Sequence, residues 1–278
     1  MRSNNFRNLI RKREKMKILA IGDVSGRQGR EILRLYLKKN KNSFDFIIVN
    51  GENAAGGFGL TGKLADEILE YGCHVITSGN HIWDKREIYD YLESTDKVLR
   101  PLNYPKNTPG KGYTIITNNI GKKLAVISLQ GRIFMPPIDC PFLSVKEVLN
   151  DIRKETKNIV IDFHGEATSE KLALGWYLDG YVSLVYGTHT HVQTADNKVL
   201  PEGTGYTSDI GMTGSHNGII GMSVESVLPK FLTSMPQKFD LAEGNIRING
   251  IIAEISEETG ECQEVTLLNK TMTEVELS

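Results

Sequence analysis

Polar side chains that can bind a metal ion follow each of five mostly apolar runs in the sequence. The runs lie at 19–21, 46–49, 74–77, 159–161 and 184–186, and their composition predicts buried β-strands. In α/β proteins, ligands bind outside the carboxyl ends of the strands. A shared sheet edge would therefore bring together the residues that follow the runs: Asp23, Glu52, Asn53, Asn80, His164, His189 and His191.

The donor atoms of this set suit transition-metal or other divalent ions. Carboxylates, imidazoles and amide oxygens bind such ions, and no cysteine lies at these strand exits. Seven residues exceed what one tetrahedral ion needs, so they predict two ions that share a carboxylate, roughly 3.5–4 Å apart. Such a pair lowers the pKa of a shared water and neutralises phosphoryl oxygens during in-line displacement. The set therefore predicts phosphoester hydrolysis.

His81 directly follows the predicted ligand Asn80, and we predict that it protonates the leaving oxygen as a general acid. The pair His189 and His191 is weak evidence by itself. In an extended segment the two rings would share a face, whereas in a turn they could bind neighbouring ions. Four of the six histidines stand at strand ends beside Asp, Glu and Asn, which favours a metal site over a purely structural role.

The elements that must position these residues alternate between strand and helix. Helical spacing of apolar residues predicts helices at 30–39, 145–155, 171–178 and 224–232, with Thr168 and Ser169 as the cap of the third. The later part of the chain is β-rich, with predicted strands at 206–210, 247–254 and 264–268. Alternating βα units followed by antiparallel strands predict a mixed, multilayer α/β sandwich.

Charge and composition exclude several classes of protein. Lys and Arg number 33 against 34 Asp and Glu, so no global charge indicates a nucleic-acid or membrane partner. Three widely spaced cysteines, Cys73, Cys140 and Cys262, predict reduced thiols in a cytoplasmic protein. No apolar run approaches the roughly 18 residues that a membrane helix needs.

The chain is predicted to contain one large domain at 16–270. The basic residues 1–15 precede the first strand and are predicted to be an N-terminal extension, disordered or alternatively an RNA-binding arm. Residues 271–278 are predicted to be a C-terminal tail.

Longer blocks of sequence resemble the calcineurin-like metallophosphoesterases and, more closely, their YmdB-like bacterial branch. These blocks are GENAAGG at 51–57, GNHIWD at 79–84, DFHGEATSEK at 162–171 and DIGMTG at 209–214. The resemblance runs from about Lys17 to about Leu268. It implies a four-layer α/β/β/α sandwich with mixed sheets, two metal ions and cyclic-nucleotide phosphodiesterase activity.

Two departures from the broad superfamily are typical of the YmdB-like branch. Ser25 stands where the superfamily usually has a histidine, and Glu52 replaces its usual bridging aspartate. The resemblance implies a first ion held by Asp23, Glu52, Asn53 and His191, and a second held by Glu52, Asn80, His164 and His189. Glu52 would bridge the ions, a bridging hydroxide would attack phosphorus, and His81 would donate the proton. Iron is the expected metal, with manganese as the alternative.

Cyclic nucleotides, 2′,3′ or 3′,5′, are the expected substrates by resemblance. Arg132 and Phe134 lie on a proline-containing loop and are predicted to contact the nucleotide, although ordinary loop packing explains them equally well.

Alternative functions are a phosphomonoesterase or nucleotidase, and an RNA-associated regulatory protein with slow phosphodiesterase turnover. A homo-oligomer is a further possibility. The run at 57–63 approaches a nucleotide-binding phosphate loop, but Leu64 stands where that loop needs Ser or Thr.

Overall fold

Two mixed β-sheets form the centre of the fold in the computed structural model, which describes residues 15–277. The first sheet consists of β1 (Lys15–Ile21), β2 (Asp23–Val24), β3 (Phe46–Asn50), β4 (Val75–Thr77), β11 (Met212–Ser215), β12 (Ile246–Ser256) and β13 (Cys262–Thr271). The second consists of β5 (Tyr113–Thr117), β6 (Lys123–Gln130), β7 (Ile159–His164), β8 (Leu184–Thr188), β9 (Lys198–Val199) and β10 (Gly205–Thr207).

Parallel strands occupy adjacent positions in both sheets. The first sheet has the order β2-β11-β12-β1-β3-β4, with β13 paired to β12, and β1, β3 and β4 run parallel. The second has the order β5-β6-β7-β8-β10-β9, and β6, β7, β8 and β10 run parallel. Every residue of β3 and β7 is buried, as expected for parallel strands that are covered on both faces. Each sheet therefore presents several carboxyl ends on one edge.

Helices connect most of these strands. They are α1 (Gly26–Asn40), α2 (Gly62–Glu70), α3 (Ile88–Ser94), α4 (Pro141–Glu155), α5 (Thr168–Tyr177), α6 (Val224–Thr233) and α7 (Met272–Leu277). Helix α1 buries Ile32, Leu33, Tyr36 and Leu37, whose spacing places them on one face. Thr61 caps α2 by accepting a hydrogen bond from the Leu64 N–H at 3.2 Å.

Three apolar clusters hold the sheets and helices together. Successive side chains of a strand point to opposite faces, so Leu19 and Ile47 pack in the cluster that contains Ile32 of α1. Ile18 and Ile48 pack instead in a cluster that also contains residues of β6, β7 and β8 from the second sheet. The third cluster joins β6 and β7 to α4 and α5. The two sheets thus share a buried core, and this core fixes their strand ends relative to each other.

The predicted α/β class with mixed sheets is confirmed. The prediction that Thr168 and Ser169 cap a helix is wrong, because both lie in the first turn of α5 and Ala167 occupies the N-cap position.

The predicted tail at 271–278 is also at variance with the structure. Strand β13 extends to Thr271, and the following residues form α7, whose Val275 side chain is buried. The Nζ of Lys39 in α1 donates to the Val275 carbonyl at 2.9 Å, which ties this helix to the domain.

The predicted basic extension at 1–15 lies outside the described residues except for Lys15, which begins β1. Within residues 15–277, no helix is both long enough and apolar enough to cross a membrane.

Candidate metal centre

Residues that follow parallel strands of the two sheets contact each other directly. Glu52 follows β3, and its Oε1 lies 3.0 Å from Nε2 of His164, the last residue of β7. His189 follows β8, and its Nδ1 lies 3.0 Å from the same His164 nitrogen. Asn80 follows β4 and places its Oδ1 3.2 Å from that nitrogen. One potential ligand atom from each of Glu52, His164 and His189 lies within 4.8 Å of the other two.

Asp23, Asn53 and His191 form a second group, which adjoins the first at Glu52. The Nδ2 of Asn53 lies 3.4 Å from Glu52 Oε1 and 3.1 Å from His191 Nε2. Asp23 in β2 is fully buried, and its Oδ1 lies 3.9 Å from His191 Nε2 and 3.8 Å from His164 Nδ1. The structure therefore brings all seven predicted ligand residues together in one cluster around Glu52.

The charges in this cluster are strongly coupled. Burial opposes the ionised form of Glu52, but His164, His81 and His189 outweigh it and lower the pKa of Glu52 to about 2. Burial by itself would lower the pKa of His164, whereas the carboxylates of Glu52 and Asp23 raise it to about 9. Burial and the nearby His164 lower the pKa of His189 to about 3, so that ring is neutral. The histidines around Glu52 thus favour its ionised carboxylate, and the carboxylates around His164 favour a positive charge beside them.

Two buried oxygen atoms in the cluster have no hydrogen-bond partner among the described residues. They are Asp23 Oδ1 and Asn53 Oδ1. Leaving a buried polar group unsatisfied costs about 1–3 kcal/mol, and most such groups in native proteins have a partner. Carboxylate oxygens, an amide oxygen and neutral imidazole nitrogens are ligands of divalent and transition metals. The donor set and the two unpaired oxygens therefore fit a bound metal cation.

A hydrogen-bond chain places a proton on Nδ1 of His164. The Thr188 hydroxyl donates to Asp162 Oδ1 at 2.7 Å, so it must accept from His164 Nδ1, which lies 2.9 Å away. Asp162 is fixed in turn by Thr77 and Asn50, which donate to its Oδ2 at 2.5 and 3.0 Å. This arrangement leaves the Nε2 atom of His164 to face the ligand cluster, as in other sites where a histidine is oriented from behind.

His81 lies beside the cluster on the 3₁₀ turn at Asn80–Trp83. Its backbone N–H donates to Glu52 Oε2 at 3.3 Å, and its Nδ1 lies 2.8 Å from Asp84 Oδ2. The Phe58 ring packs edge-on against its imidazole at a centroid distance of 5.0 Å. The Asp84 carboxylate accepts a hydrogen bond from Nδ1 of His81. The other ring nitrogen, Nε2, therefore remains available to contact a bound molecule.

The turn after β8 has an unusual backbone. His189 and His191 have φ values of 97° and 66°, in a region that residues other than glycine rarely adopt. Such conformations cost about 1–3 kcal/mol each and persist only where the surroundings enforce them. Here the Asp209 carboxylate accepts from the Thr190 N–H and hydroxyl at 3.1 and 2.8 Å. Lys171 completes the support, since its Nζ donates to Asp209 at 2.7 Å and to the Thr188 carbonyl at 2.8 Å.

Sequence reasoning did not single out these supporting residues. Asp162, Lys171 and Asp209 are almost completely buried, and Glu166 Oε2 lies 3.2 Å from His189 Nε2. Asp162 could have been found from the sequence, because it is a charged residue within a strongly apolar strand and a buried charge needs a partner. The partner itself could not be named from the sequence.

A cavity of about 400 Å³ opens onto the cluster. Its lining includes Glu52, Asn53, His81, His189 and His191. The two predicted nucleotide contacts are not among the residues that line it. Arg132 lines a separate cavity beside α5, and Phe134 is 88% exposed. Their predicted role therefore gains no support from the cavity.

Comparisons with known proteins found similar sequences and structures. The model of the YmdB-like protein family matches residues 19–268. A Bacillus subtilis protein named 2′,3′-cyclic-nucleotide 2′-phosphodiesterase is 51% identical over 246 residues, covering 88% of this chain and 93% of that protein.

Two solved structures are also similar. A hypothetical protein from Thermus thermophilus has a TM-score of 0.85 and 41% identity, covering 92% of this chain and 99% of its own. A protein described as a novel phosphatase from Mycoplasma pneumoniae has a TM-score of 0.85 and 30% identity, covering 92% and 94%.

The support of the strained turn can be tested by removing one charge of its buried pair. Lys171→Met leaves the Asp209 carboxylate buried without its cation, and we expect the free energy of unfolding to fall by about 3–5 kcal/mol. The change is measured by urea denaturation, with Lys154→Met as a control because Lys154 forms only an exposed ion pair with Asp151.

The double variant Lys171→Met/Asp209→Asn removes both charges and should recover part of this loss. Wild-type stability of Lys171→Met would contradict the role of the pair.

Proposed function

Because the chain belongs to the YmdB-like protein family, we propose that it is a metal-dependent phosphodiesterase that hydrolyses cyclic nucleotides, 2′,3′ or 3′,5′. The observation that carries this proposal is the convergence of carboxylate, imidazole and amide side chains from both sheets around Glu52, next to two unpaired buried oxygens. The name of the Bacillus subtilis relative supports a diester substrate. Membership of the calcineurin-like superfamily is part of the same proposal.

The proposed centre holds two ions that share Glu52, with iron preferred and manganese as the alternative. The first ion would be held by Asp23, Glu52, Asn53 and His191, and the second by Glu52, Asn80, His164 and His189. The contacts of Glu52 support a bridging role, because Oε1 approaches His164 of one group and Asn53 of the other. Metal ions in such a centre activate water for attack at phosphorus and offset the charge of the phosphoryl oxygens.

His81 is the proposed proton donor to the departing ribose oxygen. It lines the same cavity as Glu52, and the contact between its Nδ1 and Asp84 orients the ring with the other nitrogen free. The residues behind the centre, Asp162 and the Lys171–Asp209 pair, hold the histidines in place and would not contact the substrate.

The proposed architecture is a four-layer α/β/β/α sandwich within one domain, which includes the terminal helix α7. The three apolar clusters support it, since one contains residues of both sheets and each of the others joins one sheet to helices.

A second function, phosphomonoester hydrolysis, is supported by the Mycoplasma pneumoniae structure that is described as a phosphatase. Both reactions use the same metal chemistry, so the substrate must distinguish them.

A substrate panel tests the proposal. Protein reconstituted with Fe²⁺ or Mn²⁺ should hydrolyse adenosine 2′,3′-cyclic phosphate and bis-p-nitrophenyl phosphate faster than p-nitrophenyl phosphate, and a chelator should abolish all three activities. Faster turnover of the monoester would favour the phosphatase alternative. Activity that survives complete removal of metal would rule out the proposed centre.

The bridging role of Glu52 predicts the metal content of a variant. Glu52→Ala removes a ligand of both ions, so purified protein should lose both, as measured by elemental analysis against Glu31→Ala, which removes an exposed carboxylate. Two ions per chain in the Glu52→Ala protein would show that another residue bridges them.

The role of His81 predicts a loss of rate that depends on the leaving group. His81→Ala should keep its metal and lose roughly 10²–10⁴ in kcat on the cyclic nucleotide, because the ribose alkoxide needs a proton to depart. Bis-p-nitrophenyl phosphate should show a smaller loss, since nitrophenolate leaves without one. Equal losses on the two substrates would assign His81 a different task.

A further inference from the structure

The cavity beside the metal centre has an apolar wall that the phosphodiester chemistry does not use. Besides the polar residues around Glu52, its lining includes Phe58, Ile220, Met222, Val227, Phe231 and Phe239. Its volume of about 400 Å³ lies within the range of about 300–1,000 Å³ that is typical of small-molecule sites. One continuous cavity thus joins groups suited to a phosphate with groups suited to a flat apolar ring.

Most of this wall comes from α6 and the segments on either side of it. Ser223 caps the helix by accepting from the Ser226 N–H at 3.2 Å, and its own N–H donates to the Asp240 carbonyl at 2.8 Å. Met222 pairs with Leu241 in a short antiparallel bridge. The segments before and after the helix are therefore paired with each other, which limits the positions that its side chains can take at the cavity.

Phe231 is 75% exposed although it lines the cavity. Phe239 lies on the same wall with the Nζ of Lys230 5.2 Å from its ring centroid, a cation–π contact. An exposed aromatic ring beside a polar centre can stack on a planar group, and stacking of a base on an aromatic side chain contributes about 1–3 kcal/mol. A nucleoside phosphate has both parts that such a cavity accommodates, the phosphate and the flat base.

We propose that Phe231, together with Ile220 and Phe239, binds the nucleobase of the substrate and so selects nucleotides over other phosphodiesters. This inference rests on the proposed function. His81 and Phe231 line the same cavity, so the apolar wall is continuous with the metal centre. This continuity favours the base of a bound nucleotide over a second copy of the chain as the occupant of the wall. The neighbouring Leu232 is 76% exposed but does not line the cavity, and it offers a matched control.

The test compares adenosine 2′,3′-cyclic phosphate with the base-free methyl riboside 2′,3′-cyclic phosphate. Phe231→Ala should lower kcat/KM for the nucleotide about 5- to 150-fold relative to the base-free substrate, which corresponds to the stacking contribution. Leu232→Ala should leave this ratio at its wild-type value. Equal losses of Phe231→Ala on both substrates, or no loss on either, would overturn the proposal.

Oligomeric state and product binding separate the remaining outcomes. If both alanine variants lower activity equally and change the mass measured by light scattering, this face of α6 is an interface between copies and not a base site. If the wild type hydrolyses neither substrate, the proposed function fails. The base site is then tested by isothermal titration calorimetry, which compares the affinity for adenosine 3′-monophosphate with the affinity for inorganic phosphate. Phe231→Ala should then weaken binding of the nucleotide alone, and unchanged nucleotide affinity would overturn the base site.

Discussion

A buried carboxylate surrounded by imidazoles and amides is the constraint on which the site depends. Glu52 is almost completely buried, and its Oε1 lies 3.0 Å from a ring nitrogen of His164, in the other sheet. An isolated charge at this depth would be strongly unfavourable, so the carboxylate requires positive partners around it. The residues that supply them lie on or directly after strands of both sheets, and the cluster therefore requires the two sheets to keep their relative position.

The apolar core that the two sheets share holds the sheets in their relative position. Buried polar contacts hold the individual side chains of the site. Asp162 and Thr188 orient His164 from behind, while the Lys171–Asp209 pair holds the strained turn that carries His189. Strain in the turn and burial of charge both oppose folding, and both occur where a metal centre needs fixed ligands. The strain and the buried charges thus reduce the stability of the folded state at the site, where the donor atoms have a defined arrangement.

The cavity links this rigid centre to a more exposed apolar wall. Ligands fixed at strand ends suit the proposed reaction at phosphorus, because small displacements of catalytic groups reduce rates strongly. Phe231 instead lies on a helix at the surface, outside the buried cluster. The proposed chemistry and the proposed base recognition accordingly lie in different parts of the fold, strand ends for the first and α6 for the second.

The sequence by itself determined the α/β class, the five strands that precede the site residues and the polar residues that follow them, because apolar periodicity and chain breaks are local properties. It also singled out Asp23, Glu52 and the three histidines, since parallel strands deliver their ends to one edge. Only the tertiary structure decided which side chains meet, which oxygens stay unpaired and which cavity Phe231 lines. Contacts such as Lys171 with Asp209 join residues distant in the chain, so their pairing depends on packing of the whole domain.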